Sequence, residues 1–182
     1  MQRADIAVLR ECVLQCARDV FAACSIPITP DLEEVSELGM ISQVATFIGF
    51  SGKVLRGTLT LVAPFSLLHA AYPIPPQAGA EVLEAEILDW SGELSNQLLG
   101  RIKNKLAARG VELMASTPKA LRAHRSRIQR STAMTVCALQ FWSGDARLEV
   151  WLDAMTSEEE ALFASTPPAV EEGPLEGEVT LF

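Results

Sequence analysis

The feature that most restricts the fold is one long run, about residues 79 to 109, in which Ile87, Trp90, Leu94, Leu98, Ile102 and Leu106 recur at spacings of three and four. That is the period of an α-helix with a single apolar face, and a helix of this length needs a large surface to bury that face against. Gly110 predicts the stop, because glycine accepts the left-handed backbone on which helices end. Fixing the apolar stripe fixes the opposite face, which carries Glu93, Asn96, Gly100, Lys103 and Asn104. Glu93 and Asn96 stand one helical turn apart, so they are surface neighbours and can address one bound object together. Gly100 is the odd member: inside a helix it costs about 1 kcal/mol relative to alanine. One turn beyond Asn96, it removes bulk where a partner's backbone can come close. The blander alternatives are ordinary surface roles for Glu93 and Asn96, and a Gly100 that is merely tolerated or serves a tight crossing with another helix of the same chain.

The rest of the chain supplies the surface. Ile6, Leu9, Val13, Cys16, Val20 and Cys24 predict a first helix that ends before Pro27 and Pro30, followed by an acidic, solvated connector from Asp31 to Glu37. The runs Ser42–Phe50 and Val54–Val62 flank Ser51-Gly52-Lys53; Leu55, Leu59 and Leu61 alternate with Arg56, Thr58 and Thr60, as in a half-buried strand of a hairpin. Gly52-Lys53 is no phosphate loop, since Phe47 stands where the first glycine is needed and Val54 where the Ser or Thr is needed. A short helix over Pro64–Tyr72 stops at Pro73, Pro75 and Pro76. After Gly110 come a strand-like Val111–Ser116, a basic stretch with Lys119, Arg122, Arg125, Arg127 and Arg130, and a second hairpin. That hairpin joins Ala133–Trp142 to Ala146–Ala154 through Ser143-Gly144-Asp145, with Leu148, Val150 and Leu152 inward. The order gives an α+β fold, a mostly antiparallel sheet with long helices packed on it. Glu, Pro, Ser and Thr dominate from Thr156 onward, so the chain divides into a domain over 1–155 and an acidic, flexible tail over 156–182. The end of that tail, Glu178 to Phe182, has the alternative of adding a strand or docking in a partner's groove.

A formal net charge of −8 argues against nucleic acid as the partner. The first residues lack a signal peptide's apolar core and no run is long and apolar enough to span a bilayer, which predicts a cytoplasmic protein. Cys12, Cys16 and Cys24 share one helical pattern and Cys137 sits in a strand, so no zinc knuckle forms; four small buried apolar side chains are expected instead. His69 and His124 lack partners at ligand spacing, and no protein-bound metal is expected. The basic stretch reads as a solvated loop and strand edge, the alternative being a steering patch for an acidic partner.

The string Glu93-x-x-Asn96-x-x-x-Gly100-x-x-Lys103-x-x-Leu106-x-x-x-Gly110, with Pro118 after the next strand, resembles the signature helix of the CheC, CheX and FliY phosphatases. Asn occurs only at 96 and 104, so a second Glu-x-x-Asn site is impossible, and the single copy is similar to the CheX arrangement. FliM shares the fold without the motif, which favours a catalytic relative over a purely structural one. The resemblance extends more weakly over residues 4–155 and implies a protein aspartyl-phosphate phosphatase acting on a CheY-like response-regulator receiver domain, in chemotaxis or related two-component signalling. It implies Glu93 and Asn96 as the catalytic pair, Gly100, Lys103 and Asn104 on the partner-binding face, Mg2+ carried by the receiver rather than by this chain, and a homodimer. A non-catalytic adaptor that binds a receiver or a motility component through the same face is the alternative.

Overall fold

The computed structural model describes residues 3–31, 42–73, 84–123 and 135–156. The connector beyond Asp31, the start of the long helix before Glu84, the basic residues Arg125, Arg127 and Arg130, and the tail from 157 onward lie outside the described residues. In chain order the elements are α1 (Arg3–Ala23), β1 (Thr29–Asp31), β2 (Gln43–Ser51), β3 (Leu55–Pro64), α2 (Phe65–Ala70), α3 (Glu84–Ala107), β4 (Met114–Ala115), β5 (Lys119–Ala123), β6 (Thr135–Ser143) and β7 (Ala146–Thr156). The strands form one antiparallel sheet in the order β1-β6-β7-β3-β2-β4, with β5 also paired to β2.

Both expected hairpins are present. β2 and β3 pair from Gln43↔Pro64 to Ser51↔Arg56. In the turn between them, the Gly52 amide donates to the Leu55 carbonyl at 2.8 Å. β6 and β7 turn at Gly144, whose φ of +56° lies in the region that glycine adopts without a Cβ clash. Two strands differ from the expectation. β1 forms although it contains Pro30, because it is an edge strand, where a missing amide breaks no internal ladder; Trp142 Nε1 donates to Asp31 Oδ2 at 2.9 Å and ties it to β6. The strand expected over Val111–Ser116 shrinks to β4, because Val111 and Leu113 are drawn into the core as the chain leaves α3.

Alternate residues of β2, β3, β6 and β7 form one core with the three helices, centred on Val44, Ile48, Leu59, Leu61, Phe141, Leu148, Val150 and Leu152. The other face holds a second, smaller cluster of Ala45, Val62 and Trp151 with Phe47 and Ala138. Beside Trp151 lies Glu149, fully buried. Its carboxylate accepts hydrogen bonds from Arg147 Nη2 at 2.8 Å, Trp151 Nε1 at 2.7 Å and Gln140 Nε2 at 3.3 Å. A charge removed from water is tolerable only when paired and hydrogen-bonded in this way.

Candidate functional site

The site is built on α3, and its geometry follows from how that helix is seated. Ile87, Leu94, Leu98, Leu99, Ile102 and Leu106 are buried against the sheet, α1 and α2. At about 1.5–3 kcal/mol for each such side chain, this burial far outweighs the cost of one helical glycine. The buried face is wider than the predicted stripe: Ser91, Gly92, Ser95 and Leu99 are buried too, whereas Trp90 is only half-buried. Ser91 and Ser95 explain how polar residues fit there. Ser91 Oγ hydrogen-bonds Thr46 Oγ1 of β2, and Ser95 Oγ donates back to the Ser91 carbonyl at 3.0 Å.

Both ends of α3 are also fixed. Gly110 adopts φ +80°, with its amide on the Ala107 carbonyl at 2.9 Å and the Val111 amide on the Leu106 carbonyl at 3.0 Å. This is the paired closure of a Schellman motif, sealed by the burial of Leu106 and Val111. At the first turn, Arg122 of β5 binds Glu84 at 2.7 Å and Ser42 Oγ at 2.8 Å and lies 3.7 Å over the Phe65 ring. The basic stretch therefore divides: Lys119 is exposed on the sheet edge, as the solvated reading expects, whereas Arg122 is half-buried and braces the helix that carries the site.

With α3 so held, Glu93 and Asn96 are exposed. Gln97 Nε2 donates to Glu93 Oε1 at 3.0 Å, which narrows the rotamers of the carboxylate. Among the described residues nothing outside the helix's own backbone lies within 4 Å of where a Cβ at Gly100 would stand, so a tight crossing with another described helix does not explain the glycine. Farther along the same face, Lys103 and Asn104 line an open groove with Lys53, Glu112 and Met114, the last of them 76% exposed. The predicted face is thus one continuous surface in two parts, an acid and an amide beside a bare patch of helix and a lysine-lined groove beyond it.

Sequence reasoning missed three neighbours of this surface, Gln97, Lys53 and Met114, and named Pro118 only as a companion of the motif. Gln97 had its signal in the four-residue spacing from Glu93. Pro118 packs over Gly92, where a Cβ would meet Pro118 Cγ at 3.5 Å, and so stands next to Glu93. It arrives there because Ser116 bonds both backbone groups of Gly49 at 2.9 Å in the break between β4 and β5. Lys53 and Met114 reach the groove only through the sheet's topology. Among the described residues no three His, Cys, Asp or Glu side chains converge as metal ligands, and no helix is long and apolar enough to cross a membrane.

Residues 44–141 match the family model described as chemotaxis phosphatase CheX. Among solved structures, CheX from Vibrio vulnificus superposes with a TM-score of 0.65 at 18% identity, covering 81% of this chain and 96% of that one. A chemotactic CheC-like protein from Shewanella oneidensis gives 0.65 at 20% identity, covering 80% and 96%. A CheX-CheY-BeF3-Mg+2 complex from Borrelia burgdorferi gives 0.59 at 16% identity, covering 79% and 96%. No curated protein matches the chain.

Proposed function

Because this chain belongs to the chemotaxis phosphatase CheX family, we propose that it hydrolyses the aspartyl phosphate of a CheY-like receiver domain, with Asn96 and Glu93 as the groups that enter the receiver's site. The observation that carries the reading is the exposure of Glu93 and Asn96 side by side, on a helix whose rotation is fixed by buried hydroxyls and whose next turn is bare at Gly100. The CheX-CheY complex from Borrelia burgdorferi supports a CheY-like partner.

The chemistry asked of this chain is small. The receiver brings the acyl phosphate and a lysine, with Mg2+ as part of the substrate, so what remains to be supplied is an oriented water. A carboxamide is no strong base, but Asn96 can donate to and accept from one water molecule and hold it in line with phosphorus. Attack forms the new P–O bond as the acyl P–O bond breaks; the aspartate leaves as carboxylate, and the water's proton passes to phosphate or solvent. Glu93, with its rotamers narrowed by Gln97, pairs with the receiver's lysine and sets the register of docking. Gly100 lets the receiver's backbone approach, and Lys103 and Asn104 extend the contact. A receiver phosphorylated inside the cell places this reaction in the cytoplasm.

The test is phosphate release from phosphorylated receivers of the same cell. The parent protein accelerates it, and Asn96→Ala, still folded by circular dichroism, loses roughly a hundredfold of that acceleration, the scale of a misplaced reactant. An adaptor instead binds phosphorylated receiver while leaving its decay unchanged in both forms, and that result discards the enzymatic reading.

A further inference from the structure

The seam between α1 and the end of α3 holds a second cluster of reactive groups, away from Glu93 and Asn96. Cys12 and Cys16 lie one turn apart on α1. Cys16 is fully buried, whereas Cys12 is half-buried and lines a cavity of about 390 Å³ together with Glu11, Gln15, Lys105 and Arg109. Lys105 of α3 and Arg109 just beyond its end thus line the same cavity as a thiol on α1. Glu11, the one acid among the described residues of the lining, is engaged by Gln15 Nε2 at 2.8 Å.

We propose that Cys12 is a modification site, a nucleophilic thiolate that takes up a small, carboxylate-bearing disulfide to form a mixed disulfide. The Cys12 sulfur attacks one sulfur of the reagent; the new S–S bond forms as the old one breaks, and the departing thiolate keeps the electron pair and takes a proton from solvent. The disulfide is the only oxidant consumed. Lys105 and Arg109 supply the charge that pairs with its carboxylates. Closure of a Cys12–Cys16 disulfide does not compete: neighbours one turn apart on a helix have Cβ atoms about 5–6 Å apart, whereas a disulfide needs about 3.8 Å.

The electrostatics agree with the geometry. The Cys16 thiol donates to Cys12 and holds it below the ordinary thiol value, with Lys105 and Arg109 adding to the effect against the opposing pull of burial. Donating to Cys12, together with burial, pushes Cys16 up. Cys24, half-buried like Cys12, is pushed up by burial, and Cys137 is pushed up to about 12 by the same cause. Of four free thiols, the one in the cationic cavity is the one poised to ionise. The inference stands whichever reaction α3 performs.

The experiment compares two disulfides on the full, reduced chain at neutral pH, dianionic dithiobis-nitrobenzoate and neutral dithiodipyridine, with each adduct located by peptide mass spectrometry. Cys12 should react first, roughly tenfold ahead of Cys24. The pair Lys105→Gln and Arg109→Gln should slow the dianionic reagent by roughly tenfold and the neutral one by no more than about twofold. Cys16→Ala should slow both reagents, and Cys16→Ser, which keeps a donor, should restore them. First reaction at Cys24, or equal slowing of both reagents by the charge variants, overturns the proposal.

Discussion

Gly100 shows most sharply how one residue separates a folding demand from a docking demand. Among the described residues nothing beyond the helix's own backbone lies within 4 Å of where its Cβ would stand, so Gly100→Ala should raise stability by about 0.5–1 kcal/mol in urea unfolding, the helix propensity recovered. The same change should lower the rate of receiver dephosphorylation, and Gly100→Gln should lower it further with the fold intact. A variant that gains stability and keeps full activity removes Gly100 from the docking surface. Glu93, Asn96, Gly100, Lys103 and Asn104 were legible as one face because helical period alone places them there. Gln97, Lys53 and Met114 were not singled out, and Pro118 was named only as following the motif; Pro118, Lys53 and Met114 reach the surface through contacts between elements distant in sequence.

At the scale of elements, what matters is how α3 is prevented from rolling. An apolar stripe specifies a face but not a rotation to within a few degrees, and the Thr46–Ser91 hydroxyl pair supplies a directional contact between β2 and α3. Thr46→Val is close in shape and strands the Ser91 hydroxyl in the core, so it should cost about 1–3 kcal/mol in urea unfolding. Adding Ser91→Ala should recover most of that loss, because replacing both partners leaves nothing unsatisfied; a double variant as unstable as the sum of the singles denies the coupling. Strand lengths were the least legible elements. β1 survives its proline because of its place at the edge, and β4 is cut short by the pull of Val111 and Leu113 into the core. Neither fact is local.

Across the whole molecule the sheet buries residues on both faces, and this alters both stability and its pH dependence. Cys137, 5% exposed in β6, has its thiol pushed up to about 12 from 9.0 by burial. A thiol raised on folding contributes fully below pH 9, and the contribution is lost as pH climbs toward 12, where the unfolded chain ionises first. Cys16, also pushed up, adds to this loss, and Cys12, held down, offsets part of it. Urea midpoints measured from neutral to alkaline pH should therefore show the parent losing stability relative to Cys137→Ala by roughly 1 kcal/mol per unit above pH 9. Parallel curves would mean that Cys137 ionises as freely in the folded chain as in the unfolded one. The sequence by itself determined the helices, both hairpins, the stop at Gly110 and the residues that share a face with Asn96, because periodicity and turn chemistry act between near neighbours. Only the tertiary structure decided that Glu149 and Trp151 are buried opposite the main core, that Arg122 braces α3, that Cys12 lines one cavity with Lys105 and Arg109, and that, among the described residues, the space beside Gly100 is open. Those facts depend on which distant segments the sheet brings together, and a spacing along the chain carries no record of what will stand across from it.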